Sequence, residues 1–138
     1  MVPDFVPLYA VITVLFSLIY FAFASFPFLF VRLDVPEVTR LFRGLFRAYF
    51  WMVAVTGFVA SAAFAASGRI AFTAGMFMIG AAASAMRKWT LRRIDTQQEA
   101  CRVGDDTAAR RLRAMHWGSM LANVLLVASV VSSLQYIL

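Results

Sequence analysis

The sequence predicts an all-α membrane protein, a four-transmembrane-helix bundle forming a single domain over 1–138, and three observations carry that prediction. Of the 138 residues, 62% are hydrophobic and 14% charged, against roughly a quarter charged in ordinary soluble domains. The apolar residues gather into four runs, about 5–31, 44–66, 70–86 and 114–138, none of which holds an acidic residue. Each is near or above the roughly 17–25 residues that a membrane-spanning helix needs. The basic residues, in turn, are distributed with one sign of asymmetry. Arg32, Arg40, Arg43 and Arg47 lie in or beside the first connection, and Arg87, Lys88, Arg92, Arg93, Arg102, Arg110, Arg111 and Arg113 in the third, while the second has Arg69 alone.

With four spans, the first and third connections (32–43 and 87–113) share one side. The positive-inside rule makes that side the cytoplasm and both termini non-cytoplasmic, in a multi-pass protein of the cell inner membrane. The net charge of +6 therefore faces anionic lipid headgroups, and nucleic acid is not expected because no recognition pattern accompanies it. A cleavable signal peptide is the rival for the first run. MVPDFVP has no Lys or Arg, and the run is about twice the length of a signal h-region. Cys101 is the only cysteine, which excludes an internal disulfide and a Cys-x-x-Cys site.

In the first span, FAFASFPFLF alternates like a strand, but the apolar run continues back to Phe5, which suits a helix. Pro27 should loosen its last turn. Thr13, Ser17 and Tyr20 share one helical face, expected to turn toward the bundle. The segment DVPE, 34–37, marks the start of the second helix before the membrane, with Asp34 as N-cap, Pro36 in the first turn and Glu37 three residues after the cap. Arg40, Arg43 and Arg47 then form a collar at headgroup depth, suited to lipid phosphates or a partner's acidic residues. Deeper in the same helix, Gly57, Ser61 and Ala65 make a ridge for close helix approach.

The third span is short and rich in small residues. Ala71 with Gly75, and Gly80 with Ser84, form small-xxx-small pairs, so this helix is expected to be the most enclosed. The pattern Leu91, Ile94, Gln98, Cys101 extends it out of the membrane toward Arg102. Gly104 supplies a stop, and Asp105 or Asp106 can cap the next helix. The fourth helix should run from about Thr107 to the C-terminus, so that helices three and four form a long hairpin reaching into the cytoplasm, its charges largely paired among themselves.

The chemistry that the sequence offers is a polar stripe. His116, Ser119 and Asn123 lie on one side of the fourth helix, with Gly118 and Ala122 as a small pair beside them. Asn123 falls roughly 14 Å beyond Ala114, near mid-membrane, where an amide needs partners. Helix-to-helix hydrogen bonding with Tyr20, Ser17 or Thr56 is the favoured use. His116 is placed near the cytoplasmic edge, within reach of water or a headgroup. One His, one distant Cys and no intramembrane carboxylate do not make a common metal site, although a haem shared between two subunits would need only such a His. A substrate or proton path normally adds an intramembrane acid or a broken helix. No hydrolase, kinase or nucleotide motif is present, so neither an enzyme nor a cofactor is expected.

Several stretches, FASFPFLFVRL, VTRLFRGLFRAYFW, RRIDTQQEA and GDDTAARRLRAMHWGSMLANVL, taken in order with the four-span layout, resemble the transmembrane-protein-205-like family, also described as domain of unknown function 4149. The distinctive points are the aromatic stretch ending the first span, Phe46, Tyr49 and Phe50 entering the second, and His116, Ser119 and Asn123 opening the fourth. The family pattern often places glycine directly after the histidine; here Trp117 intervenes and Gly118 follows. The resemblance implies a small helical membrane protein, sometimes linked to export or membrane trafficking. Together these readings point to a non-enzymatic accessory or stabilising subunit of a larger membrane complex, in contact with lipids and other membrane subunits. The alternative is a small transporter or export component with a polar route along the fourth helix.

Overall fold

The computed structural model describes residues 5–33 and 35–137. Four α-helices and one 3-10 turn make up the described chain, with no strand: α1 (Phe5–Ser25), the turn Phe26–Leu29, α2 (Pro36–Ala66), α3 (Ile70–Arg102) and α4 (Ala108–Ile137). All four helices are long and apolar enough to cross a membrane, which is consistent with a multi-pass membrane protein. With 31, 33 and 30 residues, α2, α3 and α4 measure about 45–50 Å at 1.5 Å per residue, well beyond the roughly 30 Å of a hydrocarbon core.

The helix limits follow from local chemistry. Pro27 has no N–H to continue an α-helical ladder, and α1 gives way after Ser25 to the 3-10 turn, in which proline sits at the start. Pro36 opens α2 with Glu37 in its first turn, as expected. Val35 holds the N-cap position without a side-chain bond, and Asp34, the expected cap, lies outside the described residues. The Thr39 hydroxyl instead reaches back to the carbonyls of Leu33 and Val35. The turns after α2 and α3 each pass through a glycine at positive φ, Gly68 at 76° and Gly104 at 93°, a region that costs other residues steric strain.

Packing is uneven. α2 lies closely along α3 and also against α1; α1 in turn meets α4; α3 and α4 touch much less. The α2–α3 seam is tight because Gly57 faces Gly80. A Cβ on Gly57 would lie 3.0 Å from the Gly80 nitrogen and 3.3 Å from the Met76 carbonyl. Ser61 adds a bond across the seam to the Thr73 carbonyl at 2.9 Å. On the other side of α2, aromatic rings hold α1: Phe21 sits 5.5 Å from Phe46 and 4.1 Å from Tyr49. Such ring pairs contribute about 0.5–1.5 kcal/mol beyond their contact area.

The expectation that the third helix is the most enclosed is overturned. Within its most apolar window 17% of residues are buried in α3 and 11% in α4, against 39% in the first span and 33% in α2. Small residues allow close approach along one line but cover little surface themselves. Gly80 is on that line; Gly75 has open space where its Cβ would be, and Ser84 and Ala65 are exposed.

Candidate functional site

Two features of α4 stand out, one on each side. On the side facing α1 and α2, Asn123 is 2% exposed, and the need of its amide for partners is met by two helices. Its Nδ2 donates to the Leu18 carbonyl of α1 at 3.0 Å, and its Oδ1 accepts from the Tyr49 hydroxyl of α2 at 3.0 Å. A carbonyl can only accept, so the amide nitrogen must face Leu18, and the tyrosine is the donor to the remaining oxygen. One side chain thereby joins three helices at the centre of the bundle. A second polar contact, Ser17 Oγ to Thr56 Oγ1 at 3.4 Å, joins α1 and α2 beside it.

About two helical turns toward the basic end, His116 is fully buried. Its ring lies edge-on to Phe42 at 5.4 Å and Phe28 at 6.4 Å. Neither ring nitrogen has a hydrogen-bond partner; the Ser25 carbonyl is close without meeting hydrogen-bond geometry. The expected supply of water or a headgroup is therefore corrected. The turn Phe26–Leu29 folds back over α4 and seals the ring, and Arg113 fastens it there by donating to the carbonyls of Phe28 and Val31. His116 thus points inward, among Phe28 and Phe42.

The stripe as expected is divided by the structure. Asn123, His116 and Ser17 are buried, but Tyr20 is 40% exposed and turns outward. Ser119, half-buried, lies at the edge of this face and lines the adjoining groove. Residues at i, i+3 and i+7 lie within a broad arc of the helix, and a neighbouring helix covers only part of it. Tyr49, the partner of Asn123, is not among the polar residues that the sequence singles out for the stripe. Its position in the 3-4 spacing of Phe42, Phe46, Tyr49 and Val53 is the signal that placed it inward.

On the other flank of α4, α3 and α4 diverge and leave a groove of about 870 Å³. Tyr49, Phe50 and Val53 of α2 form its floor; Ala82, Ala83 and Met86 line the α3 wall, and Gly118, Ser119 and Ala122 the α4 wall. Gly118 has open space over it, so its expected packing role within the chain is not realised. Arg93 and Arg111 stand at one end of the groove.

The arginine collar also separates. Arg43 Nε bonds Asp95 of α3 at 2.8 Å and so staples α2 to α3, whereas Arg40 and Arg47 remain exposed. At the α3–α4 turn, Asp105 Oδ1 accepts from the Thr107 N–H at 2.9 Å and its hydroxyl at 2.7 Å. These bonds, aided by Arg111, hold the Asp105 carboxyl below its usual pKa. Arg111 also reaches Gln97 at 3.3 Å, joining the two helices near the turn. No cluster of three or more metal-ligating side chains occurs among the described residues. No family model, curated protein or solved structure matches the chain.

Proposed function

We propose that the chain is a non-enzymatic accessory or stabilising subunit of a larger membrane complex, acting through helix packing and lipid contacts. The observation that supports this most is the sidedness of the bundle. Two of the polar side chains that could have done chemistry, His116 and Asn123, are turned inward, where Asn123 is consumed in holding α1, α2 and α4 together. The spans of α3 and α4, by contrast, are little covered by their own chain, and on α3 Gly75 leaves an open line for close approach. Membrane helices associate through such lines because lipid offers no hydrophobic drive and close backbone packing must supply the energy.

In this reading the protein sits in the cell inner membrane with the 103–107 turn and the α1–α2 connection in the cytoplasm, and both termini outside. Exposed Arg40 and Arg47 meet anionic headgroups or a partner's carboxylates. The resemblance to the transmembrane-protein-205-like family implies a small helical membrane protein and favours neither reading over the other. Transport along the polar stripe is less well supported, since Tyr20 faces outward and the Asn123 amide is already bonded at both of its ends.

The test is purification in mild detergent, with mass spectrometry of co-purifying chains. Migration with a much larger assembly is expected, and Gly75→Leu should reduce it while leaving the chain folded. Recovery of wild type only as a free monomer or small homo-oligomer would count against the proposal.

A further inference from the structure

We propose that the groove between α3 and α4 is a binding site for one anionic phospholipid, with its phosphate at Arg93 and Arg111 and one of its two acyl chains lying along the groove floor. The argument rests on the distribution of chemistry along the groove. From Met78 through Ile79, Ala82 and Met86 the α3 wall is apolar; it then passes Trp89 and Thr90 and ends at Arg93. The opposite wall runs in parallel from Leu126 through Ala122 and Gly118 to Arg111. An apolar bed closed at a single end by two cations matches the division of one lipid into acyl chain and phosphate.

The length also matches. Met78 to Arg93 is about 22 Å of helix at 1.5 Å per residue, the depth of one leaflet in a bilayer of roughly 40–45 Å including headgroups. Trp89 is 53% exposed, one turn inside Arg93, at the depth where tryptophan collects at membrane interfaces. The Arg93 guanidinium lies 5.4 Å from the centre of its ring, which holds the cation over the groove end. Among the described residues no carboxylate engages Arg93. Arg111 shares its charge with Asp105 at 3.3 Å and with Gln97, so the end of the groove keeps a net positive charge. A partner's apolar helix could fill the bed but would leave these charges without a counterpart. A zwitterionic lipid would bring its own cation against them.

Intrinsic fluorescence tests the assignment on the full chain. A Trp51→Phe, Trp117→Phe variant keeps Trp89 as its one tryptophan. It is reconstituted in phosphatidylcholine vesicles containing equal fractions of brominated phosphatidylglycerol or brominated phosphatidylcholine. Preferential quenching by the anionic lipid is expected, and the relative affinity behind it should fall about thirtyfold in Arg93→Gln, Arg111→Gln, which removes the attraction of two surface cations. Arg93→Lys, Arg111→Lys should retain most of it, and Gly118→Leu, which fills the bed, should remove it with both charges in place. Equal quenching by the two lipids would overturn the site, as would a preference unchanged in the glutamine variant or in Gly118→Leu. The measurement needs no partner protein, so recovery of the chain as a monomer would defeat the accessory-subunit reading and leave this result standing.

Discussion

The two flanks of α4 are built from opposite materials. Toward α1 and α2 it presents Leu112, His116, Asn123 and Val130, all buried; the Asn123 amide is bonded at both ends, and the two His116 nitrogens have no partner. Toward α3 it presents Met115, Gly118, Ser119 and Ala122, and the facing helix stands away. The closed flank of α4 contains the hydrogen-bonded amide and the buried imidazole; its open flank contains the small residues. In lipid, small residues hold helices together only when a second backbone comes close enough to use them, as Gly80 does for Gly57. Without that backbone they form a groove.

The largest expected effect breaks the closed seam itself. Gly57→Val drives a branched side chain into the Gly80 backbone and the Met76 carbonyl, neither of which can rotate away. A loss of about 3 kcal/mol, at the upper end of overpacking costs, should appear in thermal unfolding in detergent. Gly118→Ala, with nothing within 4 Å, should leave stability unchanged or raise it by up to about 1 kcal/mol. Equal destabilisation by the two would mean that the contrast between seam and groove is false.

Next in size is Asn123→Leu, which leaves the Tyr49 hydroxyl buried without an acceptor at a cost of about 1–3 kcal/mol. Tyr49→Phe should recover part of that loss in the double variant. A coupling of about 0.6–1.7 kcal/mol, the range for interhelical bonds in membranes, is the expected reading of the cycle; no coupling would remove the three-helix link.

His116→Phe should be tolerated to within about 1 kcal/mol, because an apolar ring of similar shape replaces one whose nitrogens make no hydrogen bond. A collapse of folding in this variant would show that the imidazole has a polar partner. The smallest effect is local. The Asp105 carboxyl is held below its usual pKa by the Thr107 bonds, so its contribution to the α3–α4 turn is complete above about pH 4, the ordinary carboxylate value. It is lost as the pH falls through the lowered value. Faster hydrogen exchange at the Thr107 amide below about pH 4, and not between about pH 5 and 7, is the expected sign; Asp105→Asn should remove that pH dependence.

Much of the backbone was legible in the sequence, and the sidedness of its helices was not. Pro27, Pro36, Gly68 and Gly104 act through φ and a missing N–H, which are properties of single residues, and the helix limits follow them. Tyr20, Ser119 and Gly75 were misplaced for one reason: a membrane helix is apolar all round, so its pattern shows which residues share a face without showing which face a neighbour covers. Even the small-residue code is ambiguous, since Gly75 and Gly80 carry the same signal and only Gly80 meets α2.

The sequence by itself determined four apolar segments, their ends and the crowding of charge at one end of the bundle, because length, hydropathy and backbone chemistry are local quantities. The tertiary structure alone decided that Asn123 meets Tyr49 and Leu18, that Arg113 seals His116 beneath the α1–α2 connection, and that α3 stands off from α4. Those outcomes depend on how whole helices rotate and cross, which is set by the sum of many contacts that no single segment contains.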